Sequence, residues 1–471
     1  MVLAALVLSS LLAASAAGAP PVPSPAFFEA HREKFLAKLP AGSIAVLHAA
    51  GETAADARAD SFRQDSNFWY LTGLEEPNAV AVFVPGAPAD SRYLLFVQPR
   101  DFAAEQWTGW RAGVEGAKKD YGAGQARPIG EFWERFPPLA APARSFYSSS
   151  GGDKEFQKKL LEAWSAGNAK DRPARPAADA ATILDPLRLI KDPLEQDLLR
   201  EASRISADAH RAAMARAAPG RNEWDLKAAM VATCLSRGAA RMAYPPIVAS
   251  GKNSVILHYE RDDKRLEDGE ILVNDTGCEY SLYAADVTRS YPVSGRFSAD
   301  QKAIYEIVLA AQAAGLAAIR PGIPIKDVHN ATVDVVVDGL LKLGILSGDR
   351  AEIIKTRAYQ KFYPHGSSHW IGLNVHDVGS YGNPPGVERL DRYGKAEALL
   401  APGMALTVEP GIYIPEHSTR DPRWWNIGVR IEDTVLVTAS GMECLSCGAP
   451  RAVADVEKAI AEGRPAPGVI H

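Results

Sequence analysis

Residues 270–293 read Glu270-Ile-Leu-Val-Asn-Asp275-Thr-Gly-Cys-Glu-Tyr280-Ser-Leu-Tyr-Ala-Ala-Asp286-Val-Thr-Arg-Ser290-Tyr-Pro-Val293. Two apolar runs, Glu270 to Thr276 and Tyr283 to Val293, flank a polar turn, the pattern of paired antiparallel strands. Helices bracket them. Upstream, Asp192-Pro193-Leu194-Glu195 supplies a capping residue, a first-turn proline and an N3 carboxylate. The helix it opens carries the stripe Leu198, Leu199, Ala202, Ile205 and stops at Pro219-Gly220; a second runs from Asn222 to near Gly238. Downstream, Ser298 with Gln301 opens a third helix that stops at Pro321-Gly322, and a fourth covers Lys326 to Leu343. Further strands follow at Met404 to Val408 and Gly428 to Val437. Helix pair, strands, helix pair, strands predicts a duplicated α+β unit with helices on one face of a curved sheet.

Residues 25–175 read differently. Ile44 to Leu47, Ala79 to Val84 and Tyr93 to Val97 are short apolar runs bounded by turn residues, with helical segments such as Phe27 to Leu39 between them. This predicts a smaller mixed α/β domain, joined through an Ala/Pro-rich linker (Gly167 to Ala181) to a second domain over 182–460. A chain of 471 residues has room for both. The net charge of −5, without a polybasic run, gives no reason to expect nucleic-acid or membrane partners. Residues 1–19 carry no charged side chain and end in small residues, so they read as a secretory signal peptide, although no Lys or Arg follows Met1. Export to the periplasm or medium is expected if that leader works, and a cytoplasmic location otherwise. Of four cysteines, Cys234 and Cys278 read as core thiols; in an exported chain Cys444 and Cys447 would close a small disulfide.

The chemistry rests on acids and one histidine cluster. With the turn centred on Tyr280–Ser281, Asp275 and Asp286 would face each other across the strands at roughly 4.5–5.5 Å between Cβ atoms. Two carboxylates in an apolar strand environment call for a cation. Glu409 and Glu432 repeat this more loosely, with their midpoint at Arg420–Asp421 inside a loop spanning His417 to Trp425. Three of the ten histidines, His365, His369 and His376, fall within twelve residues, and His258 sits in a further strand-like setting. Four carboxylates with one imidazole, and no thiolate, suit Mn, Co, Zn or Fe in an open site and predict metal-assisted hydrolysis.

These residues resemble the pita-bread metallopeptidases. Asn274-Asp275-Thr through Asp286-Val-Thr-Arg is similar to their two-aspartate motif, and His365-Gly-Ser-Ser-His369-Trp-Ile-Gly-Leu-Asn-Val-His376-Asp to their histidine motif. Thr407-Val-Glu409-Pro-Gly and Gly428-Val-Arg-Ile-Glu432-Asp complete the order. Phe68-Trp-Tyr-Leu-Thr-Gly resembles the N-terminal domain of the proline-specific members, Xaa-Pro aminopeptidase and prolidase, and Arg100 to Trp107 leans towards the former.

The resemblance implies an exopeptidase that cleaves Xaa-Pro bonds at peptide N-termini through a hydroxide bridging two divalent cations, Mn2+ by preference and Zn2+ or Co2+ otherwise. Asp275 would bind one metal, Asp286 and Glu432 would bridge, and His369 and Glu409 would complete the second. Glu409 would also shuttle a proton. His258 and His376 would line the substrate site, with His376 stabilising the oxyanion and Arg430 assisting. His365 and Tyr413 would contribute to the pocket, and Trp107 would cap the site of a neighbouring subunit in a homodimer or homotetramer. The alternatives are prolidase, restricted to dipeptides, and a non-catalytic pita-bread module that binds protein partners; the latter should lack ligands, and none is missing here.

Overall fold

The computed structural model describes residues 20–51, 62–167, 175–382 and 398–463. The expected leader, 1–19, lies outside the described residues.

The first half builds one six-stranded mixed sheet from β1 (Ser43–His48), β2 (Val80–Phe83), β3 (Tyr93–Val97), β4 (Gln125–Pro128), β5 (Ser145–Ser149) and β6 (Ala177–Asp179), in the order β4-β3-β2-β1-β5-β6. Strands β1, β2 and β3 are buried at every position because both faces of the sheet are covered. Ile44, Val46, Val80 and Val82 pack with Phe132 and Phe146, while Ala45, Leu47, Ala81 and Phe83 pack against Phe35 of the helix Pro25–Lys38. The stretch expected to be pure linker therefore needs correcting. Within it, Ala177–Asp179 is an edge strand of this sheet, parallel to β5, and carries the sheet past the expected boundary at 175. Its three residues are exposed, so no hydrophobic pattern announces them. Residues 168–174 of that stretch lie outside the described residues.

In the second half the caps form as expected. Asp192 accepts from the Glu195 N–H at 3.1 Å while Glu195 accepts from the Asp192 N–H at 2.8 Å. Ser298 and Gln301 close the same box ahead of Ala299–Ala318. Helix Pro193–Arg216 packs against Glu223–Ser236, and Ala299–Ala318 against Ile325–Lys342. The strands are β7 (Arg241–Met242), β8 (Ile247–Ser250), β9 (Ile271–Asp275), β10 (Cys278–Tyr280), β11 (Tyr283–Ala284), β12 (Thr288–Pro292), β13 (Ala405–Val408), β14 (Gly411–Ile414), β15 (Ile427–Arg430), β16 (Asp433–Val437) and β17 (Met442–Cys444). They pair as β8-β9-β12, β7-β10-β11, β13-β16-β17 and β14-β15. The two hairpin systems meet where the Glu432 N–H donates to Thr288 O at 3.0 Å.

Both long strands expected here, 283–293 and 428–437, are interrupted, at 285–287 and 431–432. The interruptions fall at Asp286 and Glu432. Near the first, Nε2 of buried His210 lies 3.1 Å from Thr276 O and 3.0 Å from Val287 O, satisfying carbonyls beside the break.

A second correction concerns the cysteines. Cys234 and Cys278 are not free thiols but form a disulfide between helix Glu223–Ser236 and β10, with Cα atoms 5.9 Å apart. Forty-four residues separate them in sequence, and only the packing of helix on strand brings them together. Cys444 and Cys447 are also disulfide-bonded.

Candidate metal centre

Asp275 ends β9 and Asp286 follows β11, but they are not directly opposite each other. Asp275 pairs with Thr288. The turn residues are Ser281 and Leu282, both with positive φ (46° and 63°), one residue beyond the expected centre. A Ser-Leu pair carries none of the Asn-Gly or Asp-Gly signal of such a turn, so the register is invisible in the sequence. The aspartates still converge. The hydroxyl of Tyr244 lies 2.6 Å from Asp275 Oδ1 and 2.5 Å from Asp286 Oδ1. One hydroxyl proton cannot serve two carboxylates at once, so at any moment Tyr244 satisfies only one of them.

The glutamates keep their predicted register. Val408 pairs with Asp433, and Gly411 with Arg430, which brackets Glu409 opposite Glu432. Segment 367–370, carrying His369, runs beside β13: Thr407 N–H donates to His369 O at 3.0 Å and Glu409 N–H to Ser367 O at 2.8 Å. Nδ1 of His369 lies 3.1 Å from Trp370 O and donates to it, which fixes the ring with Nε2 facing the acids. That Nε2 is 3.3 Å from Asp286 Oδ2 and 3.7 Å from Glu409 Oε1. Ligand atoms of Asp286, His369 and Glu432 all lie within 4.8 Å of one another.

All five expected ligands line one cavity of about 310 Å³, together with His258, His365, His376 and Arg430. His258 reaches it from a turn after the short helix Gly251–Val255 and not from a strand, which corrects its expected setting. The ring of His376 is 4.1 Å from that of His369, centre to centre. Tyr413 does not line the cavity. It stands behind it, accepting from Arg430 at 2.8 Å and donating to His365 Nε2 at 2.8 Å, with His365 Nδ1 donating to Gly366 O. Trp107 is also away from the cavity, 89% exposed on helix Phe102–Thr108.

Arg430 is built into the acid cluster. Its guanidinium donates to Asp275 Oδ2 at 2.7 Å and to Thr288 Oγ1 at 3.2 Å, and Thr288 donates to Glu432 Oε2 at 2.6 Å. Burial raises the Asp275 pKa and pushes Glu409 up to about 7; burial, with the charges of Asp286 and Glu409, raises Glu432 well above the carboxylate range. Burial alone would also raise Asp286, but the adjoining His369 outweighs it and holds Asp286 low. Burial opposes a charge on His369, yet Asp286 and Glu409 lift it to about 9. His365 is lowered to about 3 by burial and Arg430, so it is a neutral hydrogen-bonding ring at working pH. Three acids raised chiefly by burial, beside a fourth held low by an imidazole, form a donor set of carboxylates and one ring nitrogen that fits divalent cations.

Tyr244, Thr288 and Thr434 escape the sequence reading. The two threonines do leave a trace, an acid-x-Thr repeat in Asp286-Val-Thr288 and Glu432-Asp-Thr434. Thr288 serves Glu432, and the Thr434 hydroxyl reciprocally holds the backbone N–H (3.0 Å) and C=O (2.8 Å) of Asp286. Tyr244, ahead of Pro245-Pro246 and outside any periodic pattern, leaves none.

Residues 197–439 match metallopeptidase family M24, and residues 28–147 match the aminopeptidase P N-terminal domain. The chain belongs to metallopeptidase family M24. It is 38% identical over 401 residues to an Xaa-Pro aminopeptidase of Haemophilus influenzae, covering 84% of this chain and 88% of that one. Among solved structures, Pseudomonas aeruginosa aminopeptidase PepP superposes with a TM-score of 0.88 at 39% identity, over 94% of this chain and 99% of that one. A zinc-substituted Escherichia coli aminopeptidase P in complex with product gives 0.87 at 34% identity, over 94% and 100%.

Proposed function

We propose that this protein is an Xaa-Pro aminopeptidase that releases the N-terminal residue ahead of proline, with two divalent cations held by Asp275, Asp286, His369, Glu409 and Glu432. The observation that carries the reading is the convergence of those five side chains on one cavity. Cations bound there would supply Lewis acidity and bring a water's pKa towards neutrality. Mn2+ is the proposed metal; Zn2+ and Co2+ suit the same donors.

The protein's own groups do the rest. His258 and His376 line the cavity, and His376 is the proposed hydrogen-bond donor to a developing oxyanion. Glu409 is the proposed proton carrier between water and the departing nitrogen. An Xaa-Pro bond has no N–H to grip and a fixed φ, so attack must be organised without a handle on that nitrogen. Arg430, Tyr413 and His365 hold the far wall of the cavity through the hydrogen-bond chain described above.

The deciding experiment compares rates on Xaa-Pro dipeptides, Xaa-Pro-Yaa tripeptides and longer peptides with Mn2+, with and without chelator. Tripeptide turnover at least equal to the dipeptide's is expected. Turnover of dipeptides alone would make the protein a prolidase, and no metal-dependent turnover would make it a binding module. We further propose that it is exported, supported by the apolar leader and by two disulfides that pair all four cysteines. N-terminal sequencing of the mature protein tests this. Trp107 is proposed to act across a homo-oligomer interface, which light scattering on wild type and Trp107→Ala would examine.

A further inference from the structure

The ring of His376 makes no hydrogen bond among the described residues, so its place in the cavity is set by the backbone that carries it. That backbone is tied down by residues far earlier in the chain. Asp377, the next residue, has a side chain only 1% exposed and lies between two cations: Arg188 donates to its Oδ1, and Lys191 Nζ is 3.3 Å from its Oδ2. The Asp377 N–H also donates to Trp370 O at 2.9 Å. The cradle is tight. A Cβ on Gly372 would lie 2.2 Å from Asp377 Oδ2 and 2.9 Å from Lys191 Nζ, so only glycine fits there.

Two residues, one just before helix Ser66–Thr72 and one at its start, reach the same loop. Ser66 Oγ donates to Asn374 Oδ1 at 2.9 Å, and Arg63 donates to Leu373 O. Asn67 Oδ1 accepts from Arg188 at 2.6 Å, joining the two sets of contacts through Asp377. Every residue from Leu373 to Asp377 except Val375 and His376 is thus held by a side chain or backbone group distant in sequence.

We propose that Asp377, clamped by Arg188 and Lys191 and braced by Ser66 and Asn67, is the positioning group for His376. Through Ser66 and Asn67 the N-terminal domain then takes part in positioning that ring. The inference rests on the reading that His376 faces substrate.

The test uses full-length, Mn2+-loaded protein. Asp377→Asn removes one charge from the clamp, and the milder pair Ser66→Ala/Asn67→Ala serves if the first variant does not fold. On a tripeptide substrate, kcat is expected to fall roughly 10- to 100-fold with Mn2+ affinity unchanged. In a double-mutant cycle, Asp377→Asn should add nothing to the loss caused by His376→Ala, because it acts through that ring. Fully additive losses would overturn the proposal. Crystal structures of the same variants read the position directly, and a His376 ring still 4.1 Å from His369 would equally overturn it. Wild-type protein that binds Mn2+ but cleaves no Xaa-Pro peptide would refute the proposed function instead, and the ring position would still decide this inference.

Discussion

Arg430 and Asp275 form a buried ion pair at 2.7 Å, with the guanidinium side chain 5% exposed and the carboxylate 12%. The arginine does not face solvent or act alone; the same group donates to Thr288 and Tyr413, so it aligns a ligand, a ligand's hydrogen-bond partner and the pocket wall together. Replacing one member of such a pair leaves an uncompensated buried charge, at a cost of about 3–5 kcal/mol. Arg430→Gln is therefore expected to lower the melting temperature and weaken Mn2+ binding roughly 10- to 100-fold. Calorimetric titration of metal into the apo variant measures the second effect.

Tyr244 bridges the two aspartates by hydrogen bonding alone. Tyr244→Phe keeps the ring and removes the hydroxyl, so the fold should persist. Metal affinity should fall by about tenfold. An unchanged Mn2+ isotherm would show that the hydroxyl contributes nothing to holding the pair.

Glu409→Gln separates folding from chemistry. The side chain is isosteric and loses its proton-carrying capacity, so hydrolysis should drop by about 10²-fold or more while the circular dichroism spectrum is retained. Near-normal turnover would remove Glu409 from the proton pathway.

His210 sets a pH dependence of stability from behind the two aspartates, on the carbonyls of Thr276 and Val287. Burial, aided by Arg289, lowers its pKa to about 3 in the folded state, against 6.5 for the free side chain. The unfolded chain therefore binds the proton first. The neutral ring's contribution is complete above pH 6.5 and is lost as pH falls from there towards 3, amounting to about 2 kcal/mol by pH 5. Denaturant midpoints at pH 7 and pH 5 should differ more for the wild type than for His210→Gln. Equal differences would show that the buried ring does not titrate in this way.

The Cys234–Cys278 disulfide closes a loop over 44 residues of sequence separation, which constrains the unfolded chain by on the order of 4 kcal/mol. Cys234→Ala/Cys278→Ala should lower the denaturant midpoint accordingly, and reductant should lower that of the wild type but not that of this variant by way of the same bond. Equal midpoints for wild type and variant would mean the crosslink does not form.

What could be read from the chain, and what could not, divides by range. The helix starts at Asp192 and Ser298 are legible because a capping box is closed within four residues, by side chains whose partners are their own neighbours. The four acids stand out because they interrupt apolar runs and His369 because it sits in a histidine cluster, while their order as one ligand set comes from the resemblance to the pita-bread metallopeptidases. Glu409 and Glu432 fall opposite each other as spacing predicts, since one symmetric loop joins regular strands. Asp275 and Asp286 do not, because the turn at Ser281–Leu282 adopts positive φ without the residues that usually mark it, and Tyr244 closes the gap.

The sequence by itself determined the α+β pattern, the capped helix pairs and the chemistry of the metal donors, all of which rest on local periodicity and residue type. Only the tertiary structure decided the Arg430–Asp275 alignment, the Cys234–Cys278 bond and the clamp that Arg188, Lys191 and Ser66 place around the His376 loop. Those contacts join residues 44 to more than 300 positions apart. No short-range preference specifies them; they exist because burying the helix pairs and the first sheet against the strands of the second half brings these particular side chains within reach.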